Sequence, residues 1–191
     1  MGHPCYWRFS IQSYRKGEDI TNVDALIGLT EITGGLFIRR TATSLVSLEG
    51  LSDLEIIGTA FEYIGSERIG DSVVVTVPLT TLNGLSSLRS IGDKFMISGS
   101  NLQSISLPNL ANIGGAVQLV PPSDQLTTID FPVLTSIGEN LVISGADQLE
   151  DLSGFSALTT IGDFLVVANN EALVSLNGLE NLSKNAALVK R

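Results

Sequence analysis

One cysteine, Cys5, and one histidine, His3, are all that the 191-residue chain offers of the residues that build disulfide frameworks, zinc clusters and imidazole triads. Disulfides need cysteines in pairs, so no internal framework forms. Hydrolase triads and zinc sites usually need a well-placed imidazole, and a lone His3 beside Pro4 and Cys5 supplies neither a metal set nor a nucleophile with its base. Long apolar runs are missing too: no stretch approaches the roughly eighteen consecutive apolar residues of a membrane helix. Positive charge is scarce, with Lys+Arg 11 against Asp+Glu 20 and a net charge of −9, a balance that repels a phosphate backbone and excludes nucleic acid as the expected partner. What remains is apolar and rich in turns. Hydrophobic residues make up 43% of the chain and glycine occurs 19 times, enough for one domain with a sizeable core and too apolar for disorder.

The scarcity of bases is concentrated. Between Lys94 and Lys184 there is no Lys or Arg, while Asp124, Asp130, Glu139, Asp147, Glu150, Asp151, Asp163, Glu171 and Glu180 carry the whole net charge. Such acids are expected to keep a flat, hydroxyl-rich surface soluble.

A repeat runs through the chain. Ile57-Gly58, Ile91-Gly92, Ile113-Gly114, Ile137-Gly138 and Ile161-Gly162 follow a looser Ile32-Thr33-Gly34, at isoleucine spacings of 25, 34, 22, 24 and 24 residues. Apolar residues at intervals of three precede each pair, as in Leu149, Leu152, Phe155, Leu158 and Ile161. A short β-type run follows: Leu36-Phe37-Ile38, Val73-Val74-Val75, Phe95-Met96-Ile97, Val117-Gln118-Leu119, Leu141-Val142-Ile143 or Phe164-Leu165-Val166-Val167. A period of three is neither the 3.6 of a helix nor the two of a half-buried strand. It suits coils of short extended segments and corners, stacked so that each strand pairs in parallel with its equivalents above and below. The spacing predicts an all-β parallel solenoid of about six coils.

The corners come in two forms. Leu82-Asn83-Gly84-Leu85 and Leu176-Asn177-Gly178-Leu179 turn with glycine, expected to exploit positive φ, whereas Ile105-Ser106-Leu107-Pro108 and Ile129-Asp130-Phe131-Pro132 use proline and are one residue shorter. A column of hydroxyls, Ser47, Thr81, Ser104, Thr128 and Ser175, interrupted by Asp151, is expected to hydrogen-bond from coil to coil.

The pattern Leu-x-x-Leu-x-Gly-Leu-x-x-Leu-x-x-Ile-Gly-x-x-Leu-x-Ile, fullest between Leu149 and Val167, resembles the receptor L-domain family, leucine-rich-repeat-like β-solenoids of receptor ectodomains and cell-surface proteins. The resemblance covers Asp19 to about Leu182. It implies a right-handed parallel β-helix and non-catalytic recognition or adhesion at the cell surface or outside the cell, with a protein or glycan as partner. The cysteines that close the ends of receptor examples are absent.

Three segments are expected: residues 1–18 as an N-terminal cap carrying Tyr6, Trp7, Phe9 and Tyr14; 19–182 as a single solenoid; and 183–191 as a tail or truncated coil. Met1 to Lys16 has no apolar core of signal-peptide length. Asn181-Leu182-Ser183 forms a glycosylation sequon.

Chemistry is sparse, and no enzymatic activity, cofactor or metal is expected. Gly65-Ser66-Glu67-Arg68-Ile69-Gly70 has the glycines of a phosphate loop but continues as Asp71-Ser72 without the required Lys, so it reads as a turn. Glu150 and Asp151 are adjacent, which in extended chain places them on opposite faces. The interval from Ile57 to Ile91 is ten residues longer than the regular 24. Assigned between Gly58 and Val73, the extra residues place Phe61, Glu62, Tyr63, Glu67 and Arg68 on an exposed insertion, the expected partner-binding site. Two other roles fit the same repeat: a structural spacer in a repetitive surface or wall protein, and an ice- or polysaccharide-binding plane built on the hydroxyl column.

Overall fold

The computed structural model describes residues 9–11, 20–39, 44–69, 72–75, 78–120, 125–183 and 187–190. These residues form a parallel β-solenoid. Its largest face is an eight-stranded sheet of β1 (Phe9–Ile11), β3 (Leu36–Arg39), β5 (Phe61–Ile64), β9 (Phe95–Ser98), β12 (Val117–Val120), β15 (Leu141–Ser144), β17 (Phe164–Ala168) and β18 (Ala187–Lys190), in that order. The Ile-Gly rungs form a second, six-stranded sheet of β2 (Glu31–Ile32), β4 (Ile56–Ile57), β8 (Ser90–Ile91), β11 (Asn112–Ile113), β14 (Ser136–Ile137) and β16 (Thr160–Ile161). The third face holds the corners. Glycine corners contain short 3-10 turns at Glu49–Leu51 and Asn83–Leu85, as does the first corner at Asp24–Leu26 with Ala25 in the glycine's place, whereas the two proline corners form a parallel pair, β10 (Ser104–Ser106) with β13 (Thr128–Asp130).

Isoleucine stacks on isoleucine in strict register, from Ile32 on Ile57 to Ile137 on Ile161. The leucines of the period-three pattern, such as Leu82, Leu85 and Leu88, are fully buried. One hydrophobic cluster therefore runs the length of the stack. A string of rings passes through it: Phe61 stacks on Phe95 with centroids 5.3 Å apart, and Phe95, Phe131 and Phe155 continue edge to face at 5.8 and 5.3 Å.

The glycines act mainly through close approach rather than dihedral freedom. A Cβ on Gly92, Gly114, Gly138 or Gly162 would stand about 2 Å from the carbonyl oxygen of the glycine one coil below, and a Cβ on Gly84 2.1 Å from the Leu48 carbonyl. Of the corner glycines at Gly50, Gly84, Gly154 and Gly178, positive φ occurs only at Gly178, so the expected use of positive φ holds at one corner alone. Left-handed backbone serves a different turn, where Gly99, Gly145 and Asn169 leave β9, β15 and β17 at φ of 62°, 81° and 53°.

The hydroxyl column does not form a coil-to-coil ladder at three of its positions. Ser47 and Ser175 each accept the backbone N–H two residues ahead, from Glu49 and Asn177, and Asp151 accepts that of Ser153. The tight corner leaves donors unpaired, and a short acceptor just before it satisfies one. Asp151 thus does what Ser47 and Ser175 do. The real hydroxyl ladder lies two residues before the Ile-Gly rung, where Thr135, Thr159 and Ser183 donate to the carbonyls of Ala111, Thr135 and Thr159.

Strand pairing continues at both ends of the stack. Within the expected cap, β1 joins the large sheet in register with β3, burying Ile11; Tyr6, Trp7 and Tyr14 lie outside the described residues, as do His3 and Cys5. At the other end Ser183 continues the ladder on Thr159, and β18 adds a strand beside β17, so coil register extends past residue 182. No described helix is long and apolar enough to cross a membrane.

Candidate recognition surface

The expected insertion is displaced by one strand. Phe61–Ile64 is the regular strand of its coil, paired on one side with β3 and on the other with β9, and Phe61 and Tyr63 are wholly buried. They are core residues, not exposed anchors, because alternation turns them inward with Leu36, Ile38, Phe95 and Ile97. The extra residues come afterwards. Where the chain turns at a left-handed residue after β9, β15 and β17, here it runs on through Gly65 into an antiparallel hairpin of β6 (Ser66–Ile69) and β7 (Ser72–Val75). Glu67 and Arg68 lie on β6, opposite Val74 and Val73, while Asp71 falls outside the described residues. The Val73 run is therefore the hairpin's second arm rather than a coil strand, and the glycine-flanked segment after Gly65 is its first arm rather than a simple turn.

Burial pushes the Tyr63 phenol above the ordinary tyrosine range. A raised folded-state pKa means the folded chain keeps a proton that the unfolded chain releases above pH about 10, so this stabilisation is complete below that pH and declines as pH rises. The melting temperature of the wild type should fall more steeply than that of Tyr63→Phe between pH about 9 and 11. Parallel curves for the two proteins would place the phenol in water.

Glu62 does face outward, and it opens the surface that the sequence left unassembled. Register aligns Phe37, Glu62, Met96, Gln118, Val142 and Val166 in one row across the large sheet, all half-buried. A second row runs through Arg39, Ile64, Ser98 and Val120, with Val120 42% exposed. At one end the Arg39 guanidinium lies 5.4 Å over the Phe37 ring and 3.0 Å from the Glu62 carboxylate, fixing an aromatic, a cation and an anion together. The Nε of Arg39 is buried without a partner. The hairpin leaves β5 at the margin of this face, so Glu67 and Arg68 adjoin it along the chain.

Outward positions of the six-stranded sheet are more polar, with Glu31, Ser90, Asn112, Ser136 and Thr160 beside one apolar residue, Ile56. Among the described residues no group of three or more His, Cys, Asp or Glu is placed to hold a metal ion. The sequon side chain is structurally engaged: Asn181 donates its amide to the Ser156 carbonyl at 2.8 Å, as Asn109 does to Ser86 at 2.9 Å. Comparison with protein-family models, curated proteins and solved structures finds no match to this chain.

Proposed function

We propose that this chain is a non-catalytic recognition or adhesion module that engages a protein partner at a cell surface through the outward face of its eight-stranded sheet. The observation that supports this most is the continuous row from Phe37 through Met96 and Val142 to Val166, flanked by the Arg39–Glu62 pair. Aromatic and arginine anchors amid apolar contacts are the usual content of binding hot spots, and a flat parallel sheet holds them without mobile loops. The resemblance to receptor L-domains points the same way. A spacer function would require no such row.

The test is binding of fluorescent, tetramerised wild-type protein to a panel of animal, fungal and bacterial cells, beside a Met96→Glu/Val142→Glu variant. Both side chains point outward but are half-buried, and Met96 stands opposite Glu62, so the variant should fold and melt only a few degrees lower while cell binding falls at least about tenfold. Protease treatment of the cells should abolish the signal and periodate oxidation of their glycans should spare it. A second variant replaces residues 66–77 with a short Gly-Ser link, which should keep the melting temperature and reduce binding. Binding untouched by both variants, or absent from every cell type, would overturn the reading in favour of a spacer.

A further inference from the structure

A cleft of about 400 Å³ opens on the corner face, away from both large sheets, between Thr127, Thr128 and Ile129 of one coil and Gln148, Leu149, Glu150, Asp151 and Ser153 of the next. Its cause is a register mismatch. The coil of Ile129 turns by the short proline corner and the coil of Leu152 by the glycine corner, which is one residue longer. The chains come back into step only at the bridge between Asp130 and Gly154, where a Cβ on Gly154 would stand 1.8 Å from the Ile129 carbonyl. The surplus is absorbed before that point. No backbone hydrogen bond joins residues 126–129 to 148–153, so the β10–β13 sheet stops and the coils part.

The lining specifies a ligand. Glu150 and Asp151 line the same cleft rather than opposite faces, because they lie outside any strand; both carboxylates only accept hydrogen bonds, and Asp151 already takes the Ser153 N–H. The Gln148 amide and the backbone N–H groups of Gln148 and Glu150, at exposed positions, have no acceptor among the described residues and are open to a ligand's oxygens. The Ser153 hydroxyl donates to the Asp151 carboxylate, and the Thr127 hydroxyl donates to the Gln103 carbonyl at 3.2 Å while lying 3.4 Å from the Thr128 hydroxyl, which keeps its lone pairs to accept. An ammonium offers only donors and leaves the amide groups unanswered. An anion meets two carboxylates, with no Lys or Arg between residues 94 and 184 to offset them. A neutral polyol donates and accepts at adjacent atoms. Ile129 and Leu149 also line the cleft, at 4% and 2% exposure, and add a small apolar contact for the C–H edge of a sugar ring. The volume falls within the range of small-molecule sites.

We propose that this cleft binds a neutral sugar unit of an oligosaccharide, held by Thr128, Gln148, Glu150 and Asp151. The site is independent of the sheet face.

The experiment titrates ¹⁵N-labelled protein with cellohexaose, chitohexaose, maltohexaose, laminarihexaose and mannohexaose, with a heparin hexasaccharide and hexalysine as charged comparators. At least one neutral hexasaccharide should shift amides at 127–129 and 148–153. A Thr128→Val/Gln148→Ala/Glu150→Ala variant should melt like the wild type and bind at least about tenfold more weakly, whereas Met96→Glu/Val142→Glu should bind normally. Should the triple variant fail to fold, Glu150→Ala alone, an exposed position, reports on the same contact. The proposal fails if no neutral sugar binds, if hexalysine or heparin binds in their place, or if affinity survives in the folded cleft variant. Failure of the sheet-face variants on cells leaves this result untouched.

Discussion

Gly138→Ala is expected to cost about 3 to 5 kcal/mol, near the upper end for a single methyl group. The added Cβ would stand 1.9 Å from the Gly114 carbonyl oxygen and 2.7 Å from its carbon. No rotamer relieves a contact with backbone, so the coils must separate locally. Separation strains the bonds that flank the glycine, Gly138 N–H to the Ile113 carbonyl at 2.9 Å and Glu139 N–H to the Gly115 carbonyl at 3.2 Å. Gly28 is the control. It has φ of +86° and nothing within 4 Å of an added methyl, so Gly28→Ala introduces dihedral strain without collision and should cost only about 1 to 2 kcal/mol. Urea unfolding followed by circular dichroism measures both. Equal losses would mean that dihedral preference, not coil spacing, selects glycine after the rung isoleucine.

That distinction marks where the sequence was readable. The Ile-Gly repeat is visible because each rung stacked on an earlier one must carry glycine after its isoleucine, whereas Thr33 is tolerated on the first, and six rungs with four of five spacings between 22 and 25 residues leave little choice of fold. The two corner forms were countable as well, and their one-residue difference in length places the cleft between the coils of Ile129 and Leu152. The insertion was misplaced because two β-type runs follow Ile57, and either could complete its coil. One signal would have decided it. The first buried residue of each large-sheet strand stands four residues after the rung isoleucine, as Leu36 follows Ile32, Phe95 follows Ile91, Leu141 follows Ile137 and Leu165 follows Ile161, and Phe61 stands at that distance from Ile57 while Val73 does not. Glu62 can be picked out from the sequence, but its neighbours Phe37 and Met96 cannot, since they come from other coils and meet only through register. A surface assembled across coils has no contiguous sequence signature.

Ile137→Asp and Leu158→Asp should unfold the protein at neutral pH. Both positions are completely buried, Ile137 in register between Ile113 and Ile161. An unpaired carboxylate there costs several kcal/mol, a large share of the roughly 5 to 15 kcal/mol that holds a domain together. No Lys or Arg lies between residues 94 and 184 in sequence to offer a charge partner. Ser136→Asp is the matching control, one residue earlier on β14 and facing outward; it removes the bond its hydroxyl donates to Asn112 Oδ1 at 2.8 Å, and its effect should stay within about 1.5 kcal/mol. The pH dependence adds a check that simple loss of packing would not produce. A buried aspartate has its folded-state pKa raised, so the folded form holds a proton that the unfolded chain gives up above pH about 4. The carboxyl penalty is therefore least below that pH and grows as pH rises. Relative to Ile137→Asn, which carries no titrating group, Ile137→Asp should regain stability on acidification, read as a rise in melting temperature from pH about 6 to about 4. A wild-type melting transition in both aspartate variants would mean that Ile137 and Leu158 do not belong to the stacked core.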